Sequence, residues 1–215
     1  MVGADLSGIE LRMLAHYLAR YDGGRYADIL LNDDIHQVNA DKIGITRKLV
    51  KNVTYAFLYG AGDKKIGLTY DKLLSPKKAA AKGKEIRDAY VAAIPGLSDL
   101  LDAIKSAGDR GYIKAIDGRK IILDSPHKAL NYLLQGSAGV IAKRWMVIAQ
   151  EQSKNLCCSQ LAFIHDELQY ECDPSHASDL KFALELSAVC AGEHYDLRVP
   201  LAAEGKIGNN WHEVH

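Results

Sequence analysis

The stretch LAFIHDELQYE, residues 161–171, sets Asp166 and Glu167 side by side behind His165. An apolar run precedes the pair and an alternating run follows it, which predicts two strands with the acids at the tip of their hairpin. Successive strand side chains point to opposite faces, so these neighbours do not easily serve one metal together. A partner acid has to come from elsewhere, and the best candidate is Asp5, where the opening strand breaks into a helix. If that strand lies beside the hairpin, Asp5 and Asp166 meet at the sheet's edge. Two carboxylates a few ångströms apart oppose each other's ionisation, and a divalent cation between them removes the penalty. Oxygen donors without a His or Cys cluster favour Mg²⁺ or Mn²⁺ over Zn²⁺. Taken alone, HDE is more often a turn than a metal site, because Asp suits turns for local hydrogen-bonding reasons.

A second pattern lies in TRKLVKNVTYAFLYGAG, where Arg47, Lys51, Tyr55 and Tyr59 recur every four positions. On a helix they form one slowly drifting stripe, cationic at its N-terminal end and aromatic towards its C-terminal end. The helix dipole does not explain that order, since cations are favoured at a helix C-terminus. A ligand does: Arg and Lys one turn apart grip a polyphosphate, and the tyrosines offer flat faces to a base. The plainer alternative is a solvated face with tyrosines packed on the core. It is weakened by the mixture of charge and aromatics on one line, followed at once by Gly60 and Gly62.

The elements that must position these groups read as follows. MVGADL is a short strand, and SGIELRMLAHYLARY a helix with apolar residues from Ile9 to Leu18 and Ser7 as its cap. Short helices follow, broken at Gly23-Gly24 and Asp33-Asp34, and Thr46 caps the striped helix. Ser75-Pro76 opens a Lys-rich and Ala-rich helix to about Ala93, and Pro95-Gly96 separates it from another ending near Gly108. YIKAIDGRKIIL predicts a β-hairpin with a type I′ turn at Asp117-Gly118. A largely apolar helix spans 126–155, a further helix runs from Pro174 to about Tyr195, and RVPLAAEGKIG closes the chain as a strand. The order argues for an α+β fold whose antiparallel sheet comprises residues 1–5, 157–172 and 198–205.

Composition bounds the rest. A chain of 215 residues with 48% hydrophobic content can bury a real core, as one sizeable domain or two small ones. Lys plus Arg balances Asp plus Glu at 27 each, so any basic surface for a polyanion must be local. Cys157, Cys158, Cys172 and Cys190 have neither CxxC spacing nor disulfide-scaffold density, which suits reduced thiols. No signal peptide or membrane-length apolar stretch is visible, so a soluble, intracellular protein with no membrane partner is expected. The apolar, strand-like opening is unlike a frayed terminus and suggests a start inside a larger fold.

Together these segments resemble the DNA polymerase I family, family A, in particular its short phage replicases. ADLSGIELR (4–12) is similar to motif A and HDE (165–167) to motif C. RKLVKNVTYAFLYG (47–60) matches the family's fingers-helix pattern of Arg, three residues, Lys, seven residues, Tyr-Gly. DGRK and ALNYLLQGSAGVIAKRW (129–145) also resemble family segments, so the likeness runs from Asp5 to the C-terminus. The resemblance implies an antiparallel palm sheet (1–21 and 109–215) with inserted helical fingers (22–108). It implies DNA synthesis on a primer-template from deoxynucleoside triphosphates, in the host cytoplasm if phage-encoded. Asp5, Asp166 and the backbone carbonyl of Leu6 would hold two Mg²⁺ ions, with Mn²⁺ a substitute, roughly 4 Å apart. Arg47, Lys51 and His36 would bind the triphosphate, with Lys51 also placed to protonate pyrophosphate. Tyr55 matches a position where Tyr is associated with acceptance of dideoxynucleotides, and Glu10 would close the space around C2′ with it. Tyr59 would stack by the templating base. Asn131 and Gln135 would touch the primer-template minor groove, where purine N3 and pyrimidine O2 are common acceptors. His165 would contact the primer terminus, and Glu167 lies near the metals without needing to ligate.

The chain departs from the family in lacking a thumb, an upstream basic residue that contacts the triphosphate, and the exonuclease domain that often comes first. Weak DNA binding and low processivity are therefore expected. Two explanations compete: a fragment of a longer polymerase, or one half of a split enzyme whose N-terminal half is a separate partner chain. The alternative function is a catalytically silent palm-and-fingers module that binds nucleotide or that partner. A metal nuclease is a poorer reading, because hydrolysis has no need of the Arg47–Tyr59 stripe.

Overall fold

The computed structural model describes all of residues 1–215. In chain order the elements begin with β1 (Val2–Leu6), α1 (Ile9–Asp22), α2 (Arg25–Asn32), α3 (Ile35–Ile43) and α4 (Arg47–Leu58). They continue with α5 (Asp63–Tyr70), α6 (Pro76–Ala93), α7 (Leu97–Gly108), β2 (Tyr112–Lys114) and β3 (Lys120–Ile122). Last come α8 (Ala129–Gln152), β4 (Cys158–Ile164), β5 (Glu167–Cys172), α9 (Ala177–His194), β6 (Ala203–Ile207) and α10 (Trp211–Val214). The chain forms two compact units, Met1–Met13 with Ser137–His215, and Leu14–Gly136.

The first unit is built on an antiparallel sheet of order β4-β5-β1-β6. β1 is thus an interior strand, as its apolar alternation allows, and pairs antiparallel with both β5 and β6. Its Val2, Ala4 and Leu6 are buried, as are Leu168 and Tyr170 of β5 and Leu180, Leu184 and Ala188 of α9. Trp145 of α8 is fully buried, and its indole N–H donates to the Leu184 carbonyl at 2.8 Å. β6 begins at Ala203, later than the 198–205 expectation. Pro200 has no N–H to offer a ladder, and the chain there turns its carbonyl to the Arg12 guanidinium instead. The residue that precedes α1 is Gly8, at φ +57°, rather than Ser7. Its carbonyl accepts the Arg12 N–H, while the Ser7 N–H donates to Ala202.

The second unit is helical, with a β2–β3 hairpin. Thr46 caps α4 as expected, its Oγ1 accepting the Leu49 N–H, and Gly60 ends it at φ +72°. α5 was not foreseen. Local propensity counts its Gly67 against a helix, yet Gly67 is what allows α5 to lie on α6. A Cβ on Gly67 would stand 1.8 Å from the Ala79 carbonyl oxygen, and one on Gly83 1.7 Å from that of Asp63. The hairpin turn also differs from the type I′ expectation. Gly118 N–H donates to Ala115 and Ala115 N–H to Arg119, and of the loop residues only Gly118 has positive φ (+81°). This is a type I turn followed by a glycine bulge, because Ile116 and Asp117 keep the ordinary right-handed sign.

Candidate active site

In the first unit the acids gather at the ends of β1 and β5. Asp5 stands opposite Glu167 on one side and Glu204 on the other. Cross-strand partners share a face, so a row of three carboxylates crosses the sheet, an arrangement that costs stability unless cations answer it. Asp166 lies in the two-residue turn between β4 and β5, and its carbonyl accepts the Leu6 N–H at 3.0 Å. That bond ties the two halves of the expected site together at the strand ends, although β1 is no edge strand. His165, exposed at the tip, holds φ at +56°, which the sharp reversal requires.

The electrostatics are those of unrelieved like charge. The Asp5 carboxyl is pushed up from 3.8 to about 6, by partial burial first and then by Asp166, Glu167 and Glu10, against the pull of His215. Asp166 is raised as well, by burial and then by Glu10, with Glu167 adding to it. Glu10, in the first turn of α1, therefore acts on both acids. A divalent cation suits such a site, since it converts mutual repulsion into shared attraction. No cluster of three or more His, Cys, Asp or Glu side chains is assembled to hold a metal unaided. The donors that do gather here are carboxylate oxygens, which suit Mg²⁺, an ion commonly held by one or two carboxylates with water and substrate oxygens.

Glu167 is turned inward. It is buried, accepts from the Gln169 amide, and meets His215 Nδ1 at 2.8 Å. The sequence reading missed His215, Lys206 and Glu204. With Asp5, Glu167 and Val214 they line a cavity of about 160 Å³, and Lys206 Nζ donates to the His215 main-chain oxygen at 3.2 Å. Gly3 makes room for this tail, since a Cβ there would stand 2.5 Å from the Val214 carbonyl oxygen. The one sequence signal was Asn210 ahead of WHEV, whose side chain caps α10.

In the second unit α4 buries Val50, Val53, Thr54, Phe57 and Leu58 and turns the striped face outward. Arg47 and Lys51 are exposed, Tyr55 half-buried, and Tyr59 53% exposed. Arg47 Nε meets Asp34 Oδ2 at 2.5 Å, and Asp34 also caps α3 through the His36 and Gln37 N–H groups. The Arg47 hydrogen bond holds the Asp34 carboxyl below its ordinary range. His36 is buried, its ring centroid 6.2 Å from that of Tyr55. Burial lowers its pKa and Arg47 and Lys51 add to this, while Asp34 opposes. His36 thus sits behind the stripe, in surroundings that disfavour its charged form. Asn131 and Gln135, one turn apart on α8, are both half-buried, and Gly60 lies against the Asn131 side chain.

Comparison with known proteins gives the following. The family model for DNA polymerase family A matches residues 1–213. The DNA-directed DNA polymerase of Enterobacteria phage T3 is 37% identical over 238 aligned positions, covering 99% of this chain and 33% of the relative. That of Escherichia phage T7 is 36% identical over 238 positions, with the same coverage of 99% and 33%. DNA polymerase I of Helicobacter pylori strain J99 is 27% identical over 235 positions, covering 100% of this chain and 25% of the relative. Among solved structures, the POL domain of Pol1 from M. smegmatis in complex with DNA primer-template and dNTP superposes with a TM-score of 0.82. It is 26% identical, and the match covers 99% of this chain and 40% of that one. The chain thus spans about a third of the length of the phage relatives.

Proposed function

Because the chain belongs to DNA polymerase family A, we propose that it carries out template-directed addition of deoxynucleotides to a primer 3′-hydroxyl. The observation that carries this reading is the convergence of Asp5 and Asp166, far apart in the chain, at the strand ends, where Asp166 helps to raise the Asp5 carboxyl. Asp5, Asp166 and the Leu6 carbonyl are the donors for two Mg²⁺ ions. When bound, these supply charge neutralisation and a lowered pKa for the attacking hydroxyl. Asp5 and Asp166 then act as ionised carboxylates, fixed by the strand pairing that joins Leu6 to Asp166. Glu167, held by His215, positions this cluster rather than ligating.

Arg47 and Lys51 grip the triphosphate, and Lys51, exposed and outside any ion pair, donates a proton to pyrophosphate. Arg47 exchanges Asp34 for a phosphate partner, a small cost because that pair is solvent-exposed. His36, beside Tyr55, is a further contact for phosphate. Tyr55 and Glu10 limit the space at C2′, Tyr59 stacks by the templating base, Asn131 and Gln135 meet the minor groove, and His165 the primer terminus. In family terms the sheet is the palm, 1–21 and 109–215, and 22–108 the fingers. The compact units divide instead within α1 and α8, at 13/14 and 136/137. The thumb, and an exonuclease domain where present, would come from an N-terminal portion corresponding to the rest of the relatives' length, on the same or a separate chain.

Primer extension with Mg²⁺ tests the reading, alone and with such a portion added. Extension that Asp166→Ala abolishes supports a polymerase. Nucleotide binding without extension, even at high concentration and with the partner present, supports the silent palm-and-fingers module.

A further inference from the structure

We propose that the second unit carries a separate site for single-stranded DNA, formed by the exposed end of the α5–α6 pair and a groove behind α4. The groove, of about 620 Å³, is lined by Ala40 and Asp41 of α3, by Gly44, Ile45 and the α4 cap Thr46, by Leu49 of α4, and by Tyr70 at the end of α5. Asp41, its one charged lining residue, accepts from the Gln37 side chain at 2.7 Å, so the cations of the site must come from the α5–α6 end. Leu49 is two residues from both Arg47 and Lys51, about 200° around the helix, so this face points away from the nucleotide stripe. Tyr70 is 43% exposed, with Lys82 Nζ 5.0 Å from its ring centroid. Lys82 also reaches Glu85 at 2.7 Å, which fixes it beside the ring.

The segment that follows Tyr70 is rich in lysine. Residues 70–82 contain Lys72, Lys77, Lys78 and Lys82 against the single acid Asp71, in a chain whose charges otherwise balance. The Asp71 side chain is spent on the Leu73 N–H, at 2.9 Å. Lys72, Lys77 and Lys78 are exposed and form no ion pair, although ion pairs occur further along the same helix. Lys77 and Lys78 occupy the first turn of α6, where the helix dipole disfavours cations and no acid offsets them. Between these lysines Leu73 is 94% exposed, the most exposed of the large apolar side chains. Burial of the core uses none of these groups. Their combination of unpaired cations, an open aromatic face and a projecting apolar side chain suits a strand whose phosphates and unstacked bases are both available. An acidic peptide would use the lysines and leave Tyr70 and Leu73 without a purpose.

Only the choice of DNA as the polyanion rests on the polymerase reading. Binding of a fluorescent oligothymidylate to the full chain, with chelator present and no nucleotide, is therefore measured over a range of salt concentrations. Lys72→Gln/Lys77→Gln/Lys78→Gln should reduce the slope of log affinity against log salt by about 2, at roughly 0.7 for each phosphate no longer neutralised. Tyr70→Ala should weaken binding about tenfold at fixed salt with the slope unchanged. Lys105→Gln/Lys154→Gln, elsewhere on the surface, should leave both quantities unchanged. An unaltered slope in the triple variant overturns the site, as does an equal fall in the Lys105/Lys154 control. Tyr70→Ala without effect, together with displacement of the oligonucleotide by polyglutamate, would assign the surface to an acidic protein instead. Loss of primer extension with this binding intact would count only against the catalytic reading.

Discussion

Divalent-cation binding to the free protein should depend on pH in a way set by Asp5. Its carboxyl stands at about 6 rather than 3.8, with burial the largest cause and Asp166, Glu167 and Glu10 the next three. A metal ligand must be deprotonated, so protons and cation compete for the same oxygens. With a pKa near 6, Asp5 is about 99% ionised at pH 8, about half at pH 6 and about a tenth at pH 5. Apparent affinity for Mn²⁺, followed by the electron paramagnetic resonance signal of the free ion, should therefore fall at least about tenfold from pH 8 to pH 5. Asp166, also raised, deepens the fall. Folding stability of the metal-free chain runs the other way. Asp5's folded pKa lies above its unfolded value, so its contribution is fully present below pH 3.8 and is lost as pH rises through about 6. Saturating Mn²⁺ should accordingly raise the melting temperature more at pH 8 than at pH 5. Asp5→Asn should flatten the pH dependence while weakening binding. A wild-type affinity constant within twofold across that pH span would refute the account of the acid cluster.

Lys51→Ala should raise the nucleotide KM far more than it weakens primer-template binding, and equal losses in the two assays would remove its triphosphate role. Tyr55→Phe should lower dideoxynucleotide incorporation relative to the deoxynucleotide, read as a ratio of kcat/KM values, and an unchanged ratio would remove that assignment. Gly83→Ala should cost at least about 2 kcal/mol in urea unfolding, because its Cβ would sit inside van der Waals contact of the Asp63 carbonyl. A wild-type midpoint would show that α5 and α6 cross less closely than the structure places them.

What could be read in advance divides by the range of the interaction. α4 was legible because its signals are local: a Thr cap, a repeat of four and a terminal glycine lie within fifteen or so residues. The acid pair was legible, since Asp166 sits where an apolar run meets an alternating one and Asp5 where the opening strand breaks into a helix, and the pairing of β1 with β5 brings those two strand ends together. Glu167's role was not. Its partners are set by strand register, which places it opposite Asp5, and by a tail residue 48 positions away, neither of which leaves a periodic trace. α5 was hidden for the opposite reason, since the glycines that permit its packing are those that local propensity counts against a helix. The lysines at the start of α6 read in the sequence only as part of a Lys-rich and Ala-rich helix. It is the placement of Tyr70 in a groove on the far side of α4 that separates a polyanion surface from ordinary solvation. The same logic bears on His215. The buried Glu167 raises Asp5, while His215, 2.8 Å from the Glu167 carboxylate, pulls Asp5 down. The tail is thus part of the electrostatic design of the acid cluster, through contacts that only the folded sheet creates.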